Sequence, residues 1–383
     1  MTTIQIVGMG DARMHALKSN LTQALTQFPL QGKIEEISEF NSIHASGVKE
    51  PPALIVDGEI VSEGVVPSVE EIKRILRNRN LLRSKLYRLR RILVPVDLSP
   101  ASENALVFAC HIAHLLDANV EVVYAMDSLF EGASPSPSGF LSGYRKTMQN
   151  EVDAFVRQAT KDSNIKYRGM PNAPETTVRE PGSEPPWLQT DIVFGFPEEV
   201  LFELSKKMDL IIMGTTGRGD LTRKIFGSVS ISISKNAECP VLLVPPQATY
   251  PGFRNILYAS NFDSLDPLTV KQTVAFARRF QGQLHFVHVG QPGEKGVDLE
   301  KKLFEINYVY ADPEKPFIFS KIVGTNVVES LHEYAFEHRI DLFVFVTHQR
   351  SFWEDLLHHS ISKDMLLHTN TPVLVIHAEG DVG

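Results

Sequence analysis

Residues 209–230 read DLIIMGTTGRGDLTRKIFGSVS and carry the most informative pattern in the chain. It begins with a short apolar run, Asp209–Met213, that is typical of a strand buried on both faces of a parallel sheet. A glycine-rich segment follows and leads to Gly227-Ser228, which opens a predicted helix. A strand, a glycine loop and a helix in this order place the loop at the carboxyl edge of an open α/β sheet, where such folds bind ligands.

The apolar segments around this stretch occur twice in the chain. The recurrences are Asp209 at Asp341 and Pro240 at Pro372, both 132 residues later, and Ile92 at Ile256, 164 residues later. Matching offsets in the C-terminal half predict an internal duplication. The first copy has 32 additional residues, which we place within residues 128–190 because Pro, Gly and Ser concentrate there.

Each copy alternates apolar runs with amphipathic stretches. In the first copy we predict strands near 91–96, 119–126, 190–195, 209–213 and 240–244, and helices near 101–116, 144–163, 197–207 and 227–237. This alternation predicts right-handed crossovers and a doubly wound, five-stranded parallel sheet in each copy. The predicted domains are residues 90–246 and 253–378.

The loop has the residue types that suit a polyphosphate. Glycines let the backbone approach closely and turn N–H groups towards the anion. The helix beginning near Gly227 adds its dipole and free N–H groups, and Ser228 and Ser230 add hydroxyl donors. Asp97 ends the first strand at the same edge, where it can accept a hydrogen bond from a base or ribose. The alternative is a glycine loop that only turns the chain.

Val94-Pro95-Val96-Asp97, together with Gly214-x2-Gly217-x9-Gly227-Ser228, resembles the ATP-binding pattern of the universal stress protein family. The resemblance implies a Rossmann-like fold of the adenine nucleotide alpha hydrolase type that often pairs through its last strand. It also implies that Asp97 and the Ala125-Met126 backbone hold adenosine, while the glycine loop holds the phosphates. The predicted nucleotide-binding residues are Pro95, Asp97, Ala125, Met126, Gly214, Gly217, Arg218, Gly219, Gly227, Ser228, Val229 and Ser230.

No catalytic apparatus accompanies this loop in the sequence. It lacks the Gly-Lys-Ser/Thr of a Walker A motif and an evident pair of base and metal. We therefore predict no catalytic residue and favour an ATP-binding stress-response module, with ADP or AMP as alternatives and magnesium as a companion of the nucleotide. The other hypotheses are a slow ATPase or phosphotransferase, and a nucleotide-free structural adaptor with an unknown protein partner.

The second copy lacks the phosphate pattern. With the 132-residue offset Val346 replaces Gly214, Gln349 replaces Gly217, and His359 falls near Gly227. With the 164-residue offset of the first strand, Asn261 replaces Asp97. Side chains at the glycine positions would occupy the volume of the phosphates. We expect no ATP there and interpret this copy as an intramolecular pseudo-dimer partner of the first; the whole chain can also pair as a homodimer.

Histidine is frequent in the second copy. The residues are His285, His288, His332, His338, His348, His358, His359, His368 and His377. Metal ligation needs side chains that converge, whereas adjacent histidines on a helix point in different directions. We therefore predict that these histidines lie on the surface or in the core and form no metal site. His348 with His358 or His359 is the first combination to test for metal binding.

The N-terminal 86 residues form a third predicted domain of β-α-β-β-β-α order. We predict strands at Thr3–Val7 and Lys33–Phe40, a helix at Ala12–Phe28 and a hairpin at residues 53–63. The helix after it should begin with a capping box of Ser68 and Glu71.

This order resembles small thioredoxin-like domains, with Pro51-Pro52-Ala53 at the position of their cis-proline. The family's Gly-x-Gly-Cys-x-x-Cys motif appears here as Gly8-Met9-Gly10-Asp11-Ala12-Arg13-Met14, without cysteine. Thiol–disulfide exchange requires a thiolate, so we predict a redox-inert scaffold or docking module.

Composition limits the remaining classes. The net charge of −8 argues against a dedicated nucleic-acid binder, and we interpret the basic residues of 74–91 as a solvated helix face. The sequence has no run of roughly 20 apolar residues, which is the length that a membrane-spanning helix needs. The isolated Cys110 and Cys239 are expected to be buried thiols. With no visible secretion signal, we expect a cytoplasmic protein.

Overall fold

The structure is a computed structural model. It describes residues 2–27, 32–78, 86, 89–126, 138–163, 165–169, 186–216, 227–259, 267–290, 317–348 and 370–378. The chain divides into two compact units, Met1–Arg88 and Leu89–Gly383. Each unit has its own sheet and is described by itself.

The N-terminal unit is a four-stranded sheet with three helices. Its elements are β1 (Thr2–Val7), α1 (Ala12–Gln27), β2 (Gly32–Ile37), α2 (Phe40–Ala45), β3 (Ala53–Val56), β4 (Glu59–Glu63) and α3 (Val69–Asn78). The strand order is β2-β1-β3-β4. β1 pairs in parallel with β2 and antiparallel with β3, and β3 pairs antiparallel with β4.

Most local predictions for this unit are confirmed. Asp57 and Gly58 both have positive φ, at 50° and 83°, as a tight hairpin turn requires. The Ser68 N–H donates to the Glu71 carboxylate at 2.7 Å, and the Glu71 N–H donates to the Ser68 hydroxyl at 3.3 Å. The predicted strand 33–40 was too long, because β2 ends at Ile37. Phe40 begins the helix α2, which was not predicted.

The second unit contains both copies of the duplication. The first copy comprises β5 (Arg91–Pro95), α4 (Pro100–Leu116), β6 (Asn119–Met126), α5 (Ser138–Ala159), β7 (Lys166–Gly169), β8 (Trp187–Phe194), α6 (Pro197–Ser205), β9 (Leu210–Gly214), α7 (Ser228–Asn236) and β10 (Val241–Val244). The second comprises β11 (Asn255–Ala259), α8 (Pro267–Arg279), β12 (Gln283–Gly290), β13 (Ile318–Val323), α9 (Val327–Glu337), β14 (Leu342–His348) and β15 (Val373–Ala378).

The described strands of this unit form one continuous sheet of 11 strands. Their order is β13-β12-β11-β14-β15-β10-β9-β5-β6-β8-β7. Pairing is parallel within each copy, while β10 and β15 pair antiparallel where the copies meet. The second copy has the predicted five strands. The first copy has six, because β7, within the additional residues, extends its outer edge.

The two copies fix their first strand in the same way. In each copy a carboxylate directly before the last strand but one accepts hydrogen bonds from backbone N–H groups at the start of the first strand. Asp209 accepts from Arg90 at 2.8 Å and from Arg91 at 2.9 Å. Asp341 accepts from Arg254 at 2.8 Å and from Asn255 at 3.2 Å. The recurring aspartate is therefore a structural element of the duplicated sheet.

Strand order determines where a ligand can bind in the first copy. After β5 the chain adds β6 and β8 on one side, then crosses to add β9 and β10 on the other. Such a reversal opens a crevice at the carboxyl ends of the strands that flank it. The ends of β5 and β9 are therefore the expected location of a site.

Candidate functional site

A cleft of about 400 Å³ lies at this reversal, within the size range of small-molecule sites. The ends of β5, β6 and β9 and the starts of α6 and α7 form its walls. The lining residues are Pro95, Val96, Asp97, Ser102, Val123, Tyr124, Ala125, Pro197, Leu201, Met213, Gly214, Thr216, Gly227, Ser228, Val229 and Ser230. The lining therefore combines apolar side chains with backbone and hydroxyl groups.

Eight of the twelve predicted residues line this cleft: Pro95, Asp97, Ala125, Gly214, Gly227, Ser228, Val229 and Ser230. Met126 ends β6 beside them, but is not a lining residue; its carbonyl accepts a hydrogen bond from the Gly195 N–H at 2.9 Å. Gly217, Arg218 and Gly219 lie outside the described residues, so their part in the site stays a prediction.

The apolar wall of the cleft was not predicted from the sequence. Val123, Leu201 and Met213 are buried side chains on β6, α6 and β9 that also line the cleft. Two-residue alternation on β6, where Val123 and Ala125 share a face, was a signal that could have identified part of this wall. Nothing comparable marks Leu201, because its contribution depends on how α6 packs on the sheet.

Two hydrogen bonds join the ends of the glycine loop. The carbonyl of Thr215 accepts from the Gly227 N–H at 2.8 Å and from the Ser230 hydroxyl at 3.1 Å. The Thr215 N–H in turn donates to the Val244 carbonyl at the end of β10. These bonds hold the start of α7 against the end of β9.

This arrangement changes the role of Ser230. Its side chain is buried, and its hydroxyl lies within hydrogen-bond distance of two backbone carbonyls, those of Thr215 and Gly227. A hydroxyl has one proton to donate, so here it donates within the loop base. Of the two predicted hydroxyl donors, Ser228 and Ser230, Ser228 is exposed and can face a ligand.

The N-terminus of α7 opens into the cleft. Gly227 is its N-cap, and the first intrahelical bond runs from the Ile231 N–H to the Gly227 carbonyl at 3.1 Å. The N–H groups of Ser228 and Val229 precede this bond and have no intrahelical acceptor. The first turn carries no acidic side chain. The positive end of the helix dipole is therefore available to an anion.

Gly214 is required for packing. A Cβ built on it would lie 2.8 Å from the Ala101 carbonyl carbon and 2.9 Å from the Ala101 oxygen, where α4 begins. The prediction that this glycine leaves room for phosphate therefore needs a correction: the space beside its Cα is already filled by α4. Glycine at this position allows α4 to pack closely against β9 beside the cleft.

Asp97 follows β5 and lies at the mouth of the cleft. Its Oδ1 accepts hydrogen bonds from the Ser99 hydroxyl at 2.5 Å and from the Ser99 N–H at 3.1 Å. Ser99 is the N-cap of α4 and forms a capping box with Ser102. The carboxylate is thus held in place by the start of the helix that packs against Gly214.

The second copy differs at the corresponding positions. Val346, the counterpart of Gly214, is a buried residue of β14. The counterparts of Gly217, Gly227 and Asp97 lie outside the described residues, as do His358 and His359, so the proposed histidine combination stays untested. In the described parts of the chain, no three His, Cys, Asp or Glu side chains come together as a metal site.

The two thiols are buried, as predicted. Burial raises the pKa of Cys110 to about 12, which keeps its sulfur protonated. In the N-terminal unit the peptide bond between Pro51 and Pro52 is cis, and Asp11 caps α1 by accepting from the Met14 N–H at 2.9 Å. Across the described helices, none is both long and apolar enough for a membrane span.

Two family models match this chain. The model of the "Universal stress protein family" matches residues 88–245 and 252–377, and a "Thioredoxin domain" model matches residues 2–77. A universal stress protein of Methanocaldococcus jannaschii is 33% identical over 176 residues, covering 45% of this chain and 88% of that protein. A thioredoxin of Methanothermobacter thermautotrophicus is 40% identical over 76 residues, covering 20% of this chain and 99% of that protein.

A solved structure supports the same fold. The universal stress protein from Archaeoglobus fulgidus DSM 4304 matches with a TM-score of 0.55 and 16% identity, over 78% of this chain and 100% of that chain. Both copies of the duplication fall within the family matches, and the four-stranded unit falls within the thioredoxin match. The chain therefore belongs to the universal stress protein family, with two tandem family domains after an N-terminal thioredoxin domain.

Proposed function

We propose that the first repeat binds an adenine nucleotide, with ATP as the leading candidate, and that the protein acts as a nucleotide-dependent regulatory module in a stress response. The observation that carries the proposal is the start of α7, whose first N–H groups open into the cleft and whose first turn carries no acidic side chain. An anion in that position gains both hydrogen bonds and helix-dipole attraction.

The two kinds of lining group suit the two parts of a nucleotide. Val123, Leu201 and Met213 give an apolar wall against which a base can pack. Asp97 and the backbone of Ala125–Met126 would hold the adenosine, and the backbone of Gly227, Ser228 and Val229 would hold phosphates. Gly214, Gly217 and Gly219 would shape the loop, Arg218 would add positive charge, and Pro95 would complete the wall. Magnesium would be carried by the phosphates.

A binding role is favoured over catalysis by the chemistry of the lining. Among the described lining residues Asp97 is the one carboxylate, and no lysine, arginine or histidine accompanies it. Phosphoryl transfer needs positioned charges and a group that orients the nucleophile. Multiple turnovers per minute in an assay with ATP would instead favour the slow ATPase or phosphotransferase.

Nucleotide binding by the purified full-length chain tests the proposal. Calorimetric titration with ATP, ADP and AMP, with and without Mg²⁺, should give saturable binding. Ser228→Asp places a negative charge at the helix start, where it stabilises the helix but repels phosphate. We expect the ATP affinity of this variant to fall at least about tenfold below that of the wild type, while its folding stays unchanged.

The matched control is Asn236→Asp, at the exposed C-terminal end of the same helix, which should bind ATP like the wild type. Unaltered ATP affinity in Ser228→Asp would show that the phosphates do not lie at α7. Absence of binding by the wild-type chain would favour the nucleotide-free adaptor.

The N-terminal unit is proposed to be a redox-inert docking module in the same, cytoplasmic protein. Residues 1–88 contain no cysteine, and disulfide exchange requires a thiolate nucleophile. An insulin-reduction assay should detect no activity above that of a cysteine-free control protein.

A further inference from the structure

We infer that Ser99 is the positioning residue of the nucleotide site: it fixes the carboxylate of Asp97 as the acceptor for a donor group of the nucleoside. The inference rests on the proposed nucleotide-binding function. It adds a residue outside the glycine pattern, on the turn that joins β5 to α4.

The direction of the hydrogen bonds can be assigned from their partners. The Ser102 N–H lies 3.2 Å from the Ser99 hydroxyl oxygen and can only donate. The hydroxyl proton of Ser99 is then directed to Asp97 Oδ1, which is 2.5 Å away and accepts. The backbone N–H of Ser99 also donates to Oδ1, at 3.1 Å. One carboxylate oxygen therefore receives two donors from a single residue.

Burial makes this arrangement rigid. Ser99 is 3% exposed and Ser102 is 4% exposed, so water does not compete freely for their hydrogen bonds. The Ser102 hydroxyl donates to the Ser99 carbonyl at 2.9 Å, which closes the turn from the other side. Ser102 and Asp97 both line the cleft. The orientation of the carboxylate is thus set by α4 before any ligand arrives.

The backbone between the two residues has an unusual conformation. Leu98 has a φ of 62°, in the left-handed region that a branched, non-glycine side chain seldom adopts. This conformation reverses the direction of the backbone, so that the N–H and hydroxyl groups of Ser99 lie within hydrogen-bond distance of Asp97. Unfavourable backbone conformations persist where surrounding interactions fix them, and they are frequent at binding sites. The hydrogen bonds to Asp97 are such interactions.

Ser99→Ala and Ser99→Thr test this role. The alanine variant loses the hydroxyl donor, and we expect ATP affinity to fall about tenfold because the carboxylate is no longer fixed. Threonine keeps the hydroxyl and should stay within about threefold of the wild type. Ser68→Ala is the matched control, since Ser68 has the same capping role in the N-terminal unit; it should leave ATP affinity unchanged.

A double-mutant cycle separates positioning from a general loss of structure. If Ser99 acts through Asp97, Ser99→Ala should change affinity less than about twofold when Asp97→Asn is already present. Wild-type-like ATP binding by Ser99→Ala, or an equal loss in the Asp97→Asn background, would overturn the inference while leaving the proposed function intact. A wild-type chain that binds no nucleotide would overturn both.

Discussion

His285 is a buried histidine of β12 whose neighbours are themselves aromatic and polar. Its side chain is 3% exposed, and its Nδ1 lies 3.1 Å from the Tyr334 hydroxyl. The Tyr334 hydroxyl also contacts the Ser320 hydroxyl at 2.9 Å, and the ring of His338 lies 5.6 Å from that of His285. Burial, followed by repulsion from His338, lowers the pKa of His285 to about 4 from its usual 6.5.

This shift predicts that acid destabilises the second unit. The unfolded chain binds a proton near pH 6.5, whereas the folded chain keeps His285 neutral until about pH 4. The free energy of unfolding should therefore fall as the pH drops through this interval, by roughly 1–3 kcal/mol from His285 alone. Urea unfolding over a pH series should show a flatter profile in His285→Gln. Exposed His114→Gln is the control and should keep the wild-type slope; a wild-type slope in His285→Gln would contradict the prediction.

Single residues that line the cleft were predictable where a local pattern specifies them. Asp97, Gly227 and Ser228 could be identified because strand ends and helix starts are visible in the sequence. The bonding of Ser230 was not predictable, because its acceptor on Thr215 is brought close only when the loop closes. Likewise, the contact between Ser99 and Asp97 was not predictable, because it requires the left-handed turn between them.

The contact between α4 and β9 determines the shape of the cleft. Helix α4 crosses β9 so closely that Gly214 has no space for a side chain beside Ala101. The same helix supplies Ser99 at its N-cap. Because one element makes both contacts, a change at Gly214 should disturb the fold and the site together.

Gly214→Ala should therefore destabilise the second unit, by roughly 1–3 kcal/mol, because the new methyl group clashes with the α4 backbone. Chemical denaturation followed by circular dichroism measures the change. Gly143→Ala is the matched control: Gly143 lies in α5 with open space around its Cα, and alanine there should be neutral or stabilising by up to about 1 kcal/mol. If Gly214→Ala proved as stable as Gly143→Ala, the close contact would not exist in solution.

Elements with an apolar run or an amphipathic period were predicted well, and two short elements without one were missed. The five strands and four helices predicted for the first repeat all appear, within a few residues for the strands, because continuous apolar runs and amphipathic periods identify buried elements. Helix α2 has six residues and β7 has four. Neither contains an apolar run: β7 reads Lys-Tyr-Arg-Gly, and Ile43 is the buried residue of α2. The four-residue strands β3 and β10 were predicted because all of their residues are apolar and buried.

Continuity of the sheet is the main property of the second unit as a whole. Val241, Leu242 and Leu243 of β10 pair with buried residues of β15, so backbone hydrogen bonds cross from one repeat to the other. The ring of His377 adds a polar contact, its Nε2 donating to the Ser234 carbonyl of α7 at 2.8 Å. The sequence predicted a paired duplicate. The two repeats share one apolar core. This core could not be predicted from the sequence of either repeat alone, because it forms only when the two repeats pack together.

This common core predicts that the two repeats unfold in one transition. Buried residues of the first repeat, such as Ile233, and of the second, such as Phe345, belong to the same cluster. Phe286→Ala on β12 removes a fully buried ring far from the junction and should cost about 3–5 kcal/mol. Hydrogen exchange followed by mass spectrometry should then show reduced protection in β6 of the first repeat as well as in β12. Phe336→Ala is the control, because that ring is 88% exposed and its loss should leave both strands protected. Loss of protection confined to the second repeat would mean that the repeats fold as separate units despite their shared sheet.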